Sequence, residues 1–208
     1  MCRSFHTGEF GFFLPEEWIF TRFYAILKAC TEYVPSDYGD FRKMDFIVRL
    51  FEERDAERVA EIMYDSFKSV FKERWDESHK GNAETYKKMV YTESPSSITA
   101  SYVAEQNGRV IGFLHVTAGI RWGLGTLHSI GVDPNVFAKG VGKALVAEAE
   151  KLWTKHRMRK VYTCTSHINE RALAFYKRNG FQEEGLLKDH FFEGIHEIQL
   201  AKFYKYDD

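Results

Sequence analysis

The 208 residues suffice for one domain with a real core, and 44% hydrophobic with 28% charged residues is the balance of a globular chain, not a disordered or fibrous one. The net charge of −1, with lysines and arginines dispersed, offers no basic stripe to a phosphate backbone, so nucleic acid is not an expected partner. Cys2, Cys30 and Cys164 are odd in number, far apart and without ligand-spaced partners, which argues against a disulfide framework and against a metal site and makes a reducing, cytoplasmic setting the default. No stretch reaches the roughly 18 uncharged apolar residues of a membrane span. The nearest, residues 10–30, is broken by Glu16, Glu17, Arg22 and Lys28 and lacks the features of a signal peptide, so no membrane is expected.

Residues 1–43 form an aromatic-rich extension, and residues 44–208 the main domain. In the extension Pro15-Glu16-Glu17 opens a helix, Trp18, Ile19, Phe23, Ile26, Leu27 and Cys30 recur on one face, and Val34-Pro35 ends it. That helix packs on the domain, packs on a second copy to make a homodimer, or covers a substrate site as a lid. The alternative is that Met44 is the biological start.

From Phe46 the pattern is regular. Phe46 to Leu50 reads as a strand. A helix follows with Val59, Ile62, Met63, Phe67 and Val70 on one face, then a shorter helix over Ala83 to Tyr91. Strands at Ile98–Glu105 and Arg109–Thr117 are joined by Asn107-Gly108, the strongest short hairpin signal. The stretch from Leu127 to Leu145 is a strand, a break at Asp133-Pro134, and a helix that starts at Gly140-Val141-Gly142. Its apolar stripe is Val141, Leu145, Ala149, Leu152 and Trp153. Two glycines at a helix start let a ligand approach the unpaired N–H groups of the first turn, a natural seat for phosphate. Lys160–Thr165 is the next strand. Asn169 caps a helix that Gly180 closes, and Phe181–Leu187 and Glu197–Tyr204 are the last two strands. The order of elements is α/β, with a mixed central sheet of about seven strands flanked by about four helices.

Three linked features carry more. Ile130-Gly131-Val132-Asp133-Pro134 leads to Gly140-Val141-Gly142-Lys143. Asn169-Glu170-Arg171-Ala172-Leu173-Ala174-Phe175-Tyr176 then runs into Asn179-Gly180-Phe181, and Glu184-Gly185-Leu186 precedes the final hairpin. Over about residues 46–204 this resembles the GNAT superfamily of acyl-CoA N-acetyltransferases. A P-loop is excluded by Phe137 and Ala144, and a dinucleotide fingerprint by Leu145.

The resemblance implies acetyl-CoA as cosubstrate and an amine as acceptor. It assigns the pyrophosphate to the amides of Ala138, Lys139, Gly140, Val141, Gly142 and Lys143. Ile130 and Val132 would hold the thioester carbonyl through their N–H groups, and Asn169 would contact the cofactor arm. Tyr176 matches the family tyrosine that protonates the leaving thiolate. Phe137 departs from the Gln or Arg usual at its position, which shifts weight to Lys139 and Lys143. The family's frequent base, a Glu, is missing from the strand Val161–Thr165. His128 becomes the candidate base, with His167 and His190 behind it. Neutralising a lysine at pH 7 costs about 4.6 kcal/mol and an α-amino group only about 1–1.4, so a weak base favours the latter. Phe191, Phe192 and Trp122 are candidate walls of the acceptor site. The expected activity is acetyl transfer to the primary amine of a peptide N-terminus or a small molecule. The alternative is a non-catalytic acyl-CoA-binding regulatory module on the same fold.

Overall fold

The computed structural model describes residues 45–136 and 140–207. The expected helix within residues 1–43, with its lid, interface and upstream-start alternatives, lies outside the described residues, as do Phe137, Ala138 and Lys139. In chain order the elements are β1 (Ile47–Leu50), α1 (Ala56–Phe71), α2 (Ala83–Lys87), β2 (Thr92–Glu93), β3 (Ser97–Gln106) and β4 (Arg109–Gly119). They continue with β5 (Leu124–Val132), α3 (Val141–Lys155), β6 (Lys160–Ser166), α4 (Glu170–Arg178), β7 (Gln182–Phe192) and β8 (Ile195–Phe203). One sheet runs β1-β3-β4-β5-β6-β8-β7, with β2 added beside β3. Every pairing is antiparallel except β5 with β6. Among the described residues this is the expected mixed α/β sheet with four helices, the two-residue β2 being its eighth strand.

Two apolar layers hold helices on the two faces. On the back, Val141, Leu145, Ala149, Leu152 and Trp153 of α3 pack with Leu114, Val116, Leu127, Val161 and Leu200 of the sheet. On the front, Val59, Ile62 and Met63 of α1 pack with Val103 and Phe113. Each large side chain so buried contributes about 1.5–3 kcal/mol. The β3–β4 hairpin turns on Asn107 (φ 51°) and Gly108 (φ 76°), the two positive φ values that a type I′ turn demands.

The sheet does not stay closed. β5 pairs with β6 at three positions only, Leu124 with Lys160, Gly125 with Val161 and Thr126 with Tyr162. Immediately beyond, the β4–β5 register steps from Val116–Leu127 to His115–Ser129, leaving His128 as the extra residue of a bulge. A bulge bends its strand and raises the local twist, so β5 turns away from β6 and a cleft opens between them. The closed end is tight. A Cβ on Gly125 would lie 2.7 Å from Val161 Cγ2 and 2.8 Å from Trp153 Nε1, and that indole donates to the Thr117 carbonyl at 3.1 Å.

Three expectations are corrected. β7 continues to Phe192 through residues expected as a loop, and the chain reverses at Gly194 (φ 74°). β7 is exposed along nearly its whole length, so it shows no apolar alternation to read. The second helix stops at Lys87, because the Met89 N–H bonds back to Tyr86 and the Met89 carbonyl is taken by the Ser101 hydroxyl. Trp122, 66% exposed, sits just before β5 at the closed end of the cleft. It is therefore about 30 Å of extended chain from Val132 and is not an acceptor wall.

Gly125→Ala is expected to lower stability by about 1–3 kcal/mol, because neither Val161 nor the hydrogen-bonded Trp153 can yield without repacking the core. A urea melt checks this. An unchanged midpoint would mean that the closed end of the cleft is not under this constraint.

Candidate active site

The Asp133 N–H donates to the Ile111 carbonyl on β4 at 2.9 Å. Successive residues of a strand point their backbone groups to opposite edges. The N–H groups of Ile130 and Val132 therefore face away from β4, towards the side from which β6 has parted. The Val132 carbonyl points the same way and accepts from Ser66 Oγ of α1 at 3.2 Å. Such N–H groups, in a strand edge without a neighbour, are ready donors for an extended ligand.

The end of β5 is pinned. The Asp133 carboxylate, only 3% exposed, binds Arg58 of α1, lies 3.6 Å from the Arg109 guanidinium and accepts from the Asn135 N–H at 2.9 Å. Beyond the undescribed residues 137–139, α3 begins with Gly140 as its N-cap at φ 88°. A side chain there would be strained by about 1–2 kcal/mol. The first turn of α3 has neither a side-chain cap nor an acidic residue, and Lys143 is exposed. The positive end of the helix dipole is thus left for an anion. Gly142, in the first turn of α3, also has a packing role. A Cβ there would meet Phe175 Cε2 at 3.1 Å and Ile130 Cδ1 at 3.9 Å. Glycine at this position therefore also lets α3, α4 and β5 converge.

On α4 the Asn169 carboxamide oxygen caps the helix by accepting from the Ala172 N–H at 3.1 Å. Tyr176 is 4% exposed and packs edge-on to Phe175 and Phe181. Burial pushes its phenol up to about 12, while a hydrogen bond with the Thr163 side chain pulls the other way. Ile130, Gly142 and the Phe175-Tyr176 pair therefore meet at the back of the cleft.

The front of the cleft is polar. On the β5 side, Thr117 Oγ1 and His128 Nε2 are 3.0 Å apart and the His115 and His128 rings lie 5.1 Å apart. The Ser101 hydroxyl gives its hydrogen to the Met89 carbonyl, so the 2.9 Å contact with His115 Nδ1 has the imidazole as donor. Desolvation lowers His115 to about 4, with His128 adding to the effect, and it also lowers His128; both rings are neutral at pH 7.

On the β6 side, Val161 and Thr163 face the helices behind, so Cys164 and Ser166 face front. By register Gln199 stands beside Cys164, and Glu197 beside Ser166. Glu197 is 4% exposed, and burial pushes its carboxyl up to about 7, with His167 acting in the opposite sense. Sequence reasoning missed Glu197 because it sought a glutamate on β6 and not on the strand beside it. The available signal was the run Ile195, Glu197, Gln199 on one face of an otherwise well-patterned strand.

Of the reserve histidines, His167 accepts the His196 N–H at Nδ1 at 3.0 Å, and His190 is exposed against Phe191. Phe192 joins a cluster with Phe71, Trp75 and His79 that ties the end of α1 to the β7–β8 hairpin. Phe191 is 65% exposed and outside that cluster. No helix of the described residues is long and apolar enough to cross a membrane.

Residues 56–181 match the model of the Acetyltransferase (GNAT) family. An uncharacterized N-acetyltransferase from Methanocaldococcus jannaschii is 33% identical over 94 residues, which is 42% of this chain and 41% of that protein, so the match spans less than half of the relative. PaiA N-acetyltransferase from Thermoplasma acidophilum, solved in complex with coenzyme A, superposes with a TM-score of 0.61 at 20% identity over 76% of this chain and 99% of its own. Ribosomal-protein-alanine N-acetyltransferase from Brucella melitensis does so with the same score, identity and coverage, 0.61, 20%, 76% and 99%. With more than half of its 208 residues matched, the chain belongs to the acetyltransferase (GNAT) family of enzymes.

Proposed function

We propose that the protein transfers the acetyl group of acetyl-CoA to a primary amine by direct attack of the amine on the thioester. The observation that carries this reading is the parting of β5 from β6. It leaves the Ile130 and Val132 N–H groups beside a cleft that ends at the N-terminus of α3 and has Tyr176 at its back. The fold shared with a protein solved as a coenzyme A complex supports the same cosubstrate.

Each part has a chemical task. The pyrophosphate sits at the start of α3, on the amides from about Ala138 to Lys143, with Lys139 as a further candidate charge and Lys143 adding about 0.3–1 kcal/mol at the exposed helix end. The N–H groups of Ile130 and Val132 polarise the thioester carbonyl, a contribution of roughly 2.7–4 kcal/mol when aimed at developing charge. Asn169, its oxygen spent on the cap, offers its amide hydrogens to the cofactor arm. Tyr176 gives its proton to the thiolate as the C–S bond breaks. With its phenol near 12 and a thiol near ~8.5, full transfer in advance would be uphill by about 5 kcal/mol. The proton therefore moves together with bond cleavage.

The acceptor enters from the polar front, past Phe192, Phe71 and Trp75. His128, the base expected from sequence, is neutral but has its Nε2 engaged with Thr117. A peptide N-terminus or a small amine that is partly neutral at pH 7 is the acceptor class that fits.

Tyr176→Phe is expected to cut kcat by roughly 100-fold or more while acetyl-CoA binding stays near normal. Thiol release and calorimetric titration measure the two, and unchanged turnover would remove Tyr176 from the acid role. Gly140→Ala is expected to weaken acetyl-CoA binding, because a left-handed N-cap strains every other residue. Wild-type affinity in that variant would take the pyrophosphate off the start of α3. A panel of N-terminal peptides, polyamines and aminoglycosides assayed by thiol release should favour α-amines over lysine side chains at pH 7. Binding of acetyl-CoA with no release for any amine would return the non-catalytic module.

A further inference from the structure

We propose that Glu197 is the catalytic base of this acetyl transfer, its carboxylate receiving the proton that the acceptor amine loses as it attacks the thioester. The assignment rests on the reading of the protein as an acetyl-CoA-dependent N-acetyltransferase. Glu197 is 96% buried by its 4% exposure, yet among the described residues its carboxylate makes no ion pair or side-chain hydrogen bond. The other buried carboxylates all have partners: Asp55 has Arg49, Asp133 has Arg58, and Glu150 has Lys202. The fully enclosed side-chain atoms without a partner among the described residues are Trp75 Nε1, Ser166 Oγ and Tyr204 Oη, so the Glu197 oxygens lack a protein partner but keep an opening to solvent, as a group that must exchange protons requires.

Glu197 is paired in register with Ser166, the last residue of β6, whose hydroxyl is itself buried without a partner. Directly opposed residues on neighbouring strands hold their Cβ atoms about 4.5–5.5 Å apart. The Ser166 hydroxyl and the Glu197 carboxylate thus stand side by side where β6 ends, on the front of the β6 arm of the cleft. The face is the front one, since Leu200 and Lys202 of the same strand turn back to the core and to Glu150. The groups around Glu197 are Cys164 on β6, His167 just beyond β6 and Leu187 at its register position on β7. Glu197 in turn helps loss of solvent to raise the Cys164 thiol, which marks the two as neighbours. A carboxyl pushed up to about 7 is a base matched to neutral pH.

The balance is simple. The amine nitrogen forms the new C–N bond, and the C–S bond breaks with its electron pair on sulfur. The proton lost by nitrogen goes to Glu197, and the sulfur takes one from Tyr176. Solvent then returns a proton from the carboxyl to the phenolate.

The test compares wild type, Glu197→Gln and His128→Asn with acetyl-CoA and two probes, a short peptide with a free N-terminal alanine and spermidine. Glu197→Gln should lower kcat at pH 7 by roughly 100-fold or more, with acetyl-CoA affinity unchanged and the deficit shrinking towards pH 9 as the amine deprotonates unaided. It should remove the enzyme's ionisation near pH 7 from the acid limb of kcat/KM and leave only the amine's own, whereas His128→Asn, whatever its plateau, should keep the ionisation near pH 7. Wild-type turnover in Glu197→Gln, or loss of that ionisation only in His128→Asn, overturns the assignment while the acetyltransferase reading stands. A wild type that transfers to neither probe, nor to any amine of the wider panel, overturns both. Wild-type stability supplies a readout independent of turnover. The folded carboxyl holds its proton above the unfolded value of about 4.3, so stability should decline as pH rises from there to about 7, relative to Glu197→Gln. Parallel curves would mean an ordinary carboxylate and would overturn the assignment.

Discussion

The parting of β5 and β6 after three paired residues is the constraint on which the site depends. A sheet interior does not tolerate unpaired backbone groups, because each buried N–H without a partner costs free energy comparable to a lost hydrogen bond. The bulge at His128 creates such an edge deliberately, and the tight packing of Gly125 against Trp153 and Val161 stops the gap from closing or sliding. What would be a defect in an ordinary sheet becomes a slot for one extended ligand. On the proposed reading the cofactor arm restores the missing ladder with its own carbonyl and amide groups.

The two faces of the slot differ because the two arms are held by different charges. The Arg58–Asp133 pair ties the end of the β5 arm to α1 on the front, and the Glu150–Lys202 pair ties the β8 strand to α3 on the back. Such pairs add little net stability over apolar packing, but breaking one leaves a buried charge and costs several kcal/mol. They serve register rather than adhesion. With the arms so fixed, apolar residues close the back around Tyr176, and the front keeps the polar residues His115, His128, Ser166 and Glu197.

Much of this was legible from residues because the signals are local. Asn107-Gly108 can hardly be anything but a hairpin turn, Asn169 is the N-cap it was read as, and the stripe on α3 is buried throughout. Elements without a local signature were misread. β7 is solvated along its length and so shows no period, and β2 is too short to show one. The bulge at His128 depends on the register with β4, which no single strand reveals. Glu197 shows the same limit at the site: its meaning comes from Ser166 beside it and from the lack of a paired cation among the described residues, both properties of the folded neighbourhood. The packing demand on Gly142 comes from Phe175, thirty-three residues on, which no local reading reveals.

The strength of the base and the nature of the acceptor are linked. A carboxyl near 7 can take a proton from an α-ammonium group of pKa ~7.7–8 at a cost of about 1–1.4 kcal/mol, but from a lysine ammonium of ~10.4 only at about 4.6. The difference, roughly 3 kcal/mol, is more than a hundredfold in rate. It arises before any contact with the acceptor's side chains is counted. The aromatic cluster of Phe71, Trp75 and Phe192 can add affinity for an apolar residue, but affinity shared by ground and transition states does not speed the chemical step. With Glu197 as the proposed base, selection of the amine is set first there, by how easily the nitrogen gives up its proton, and only then by the walls around it.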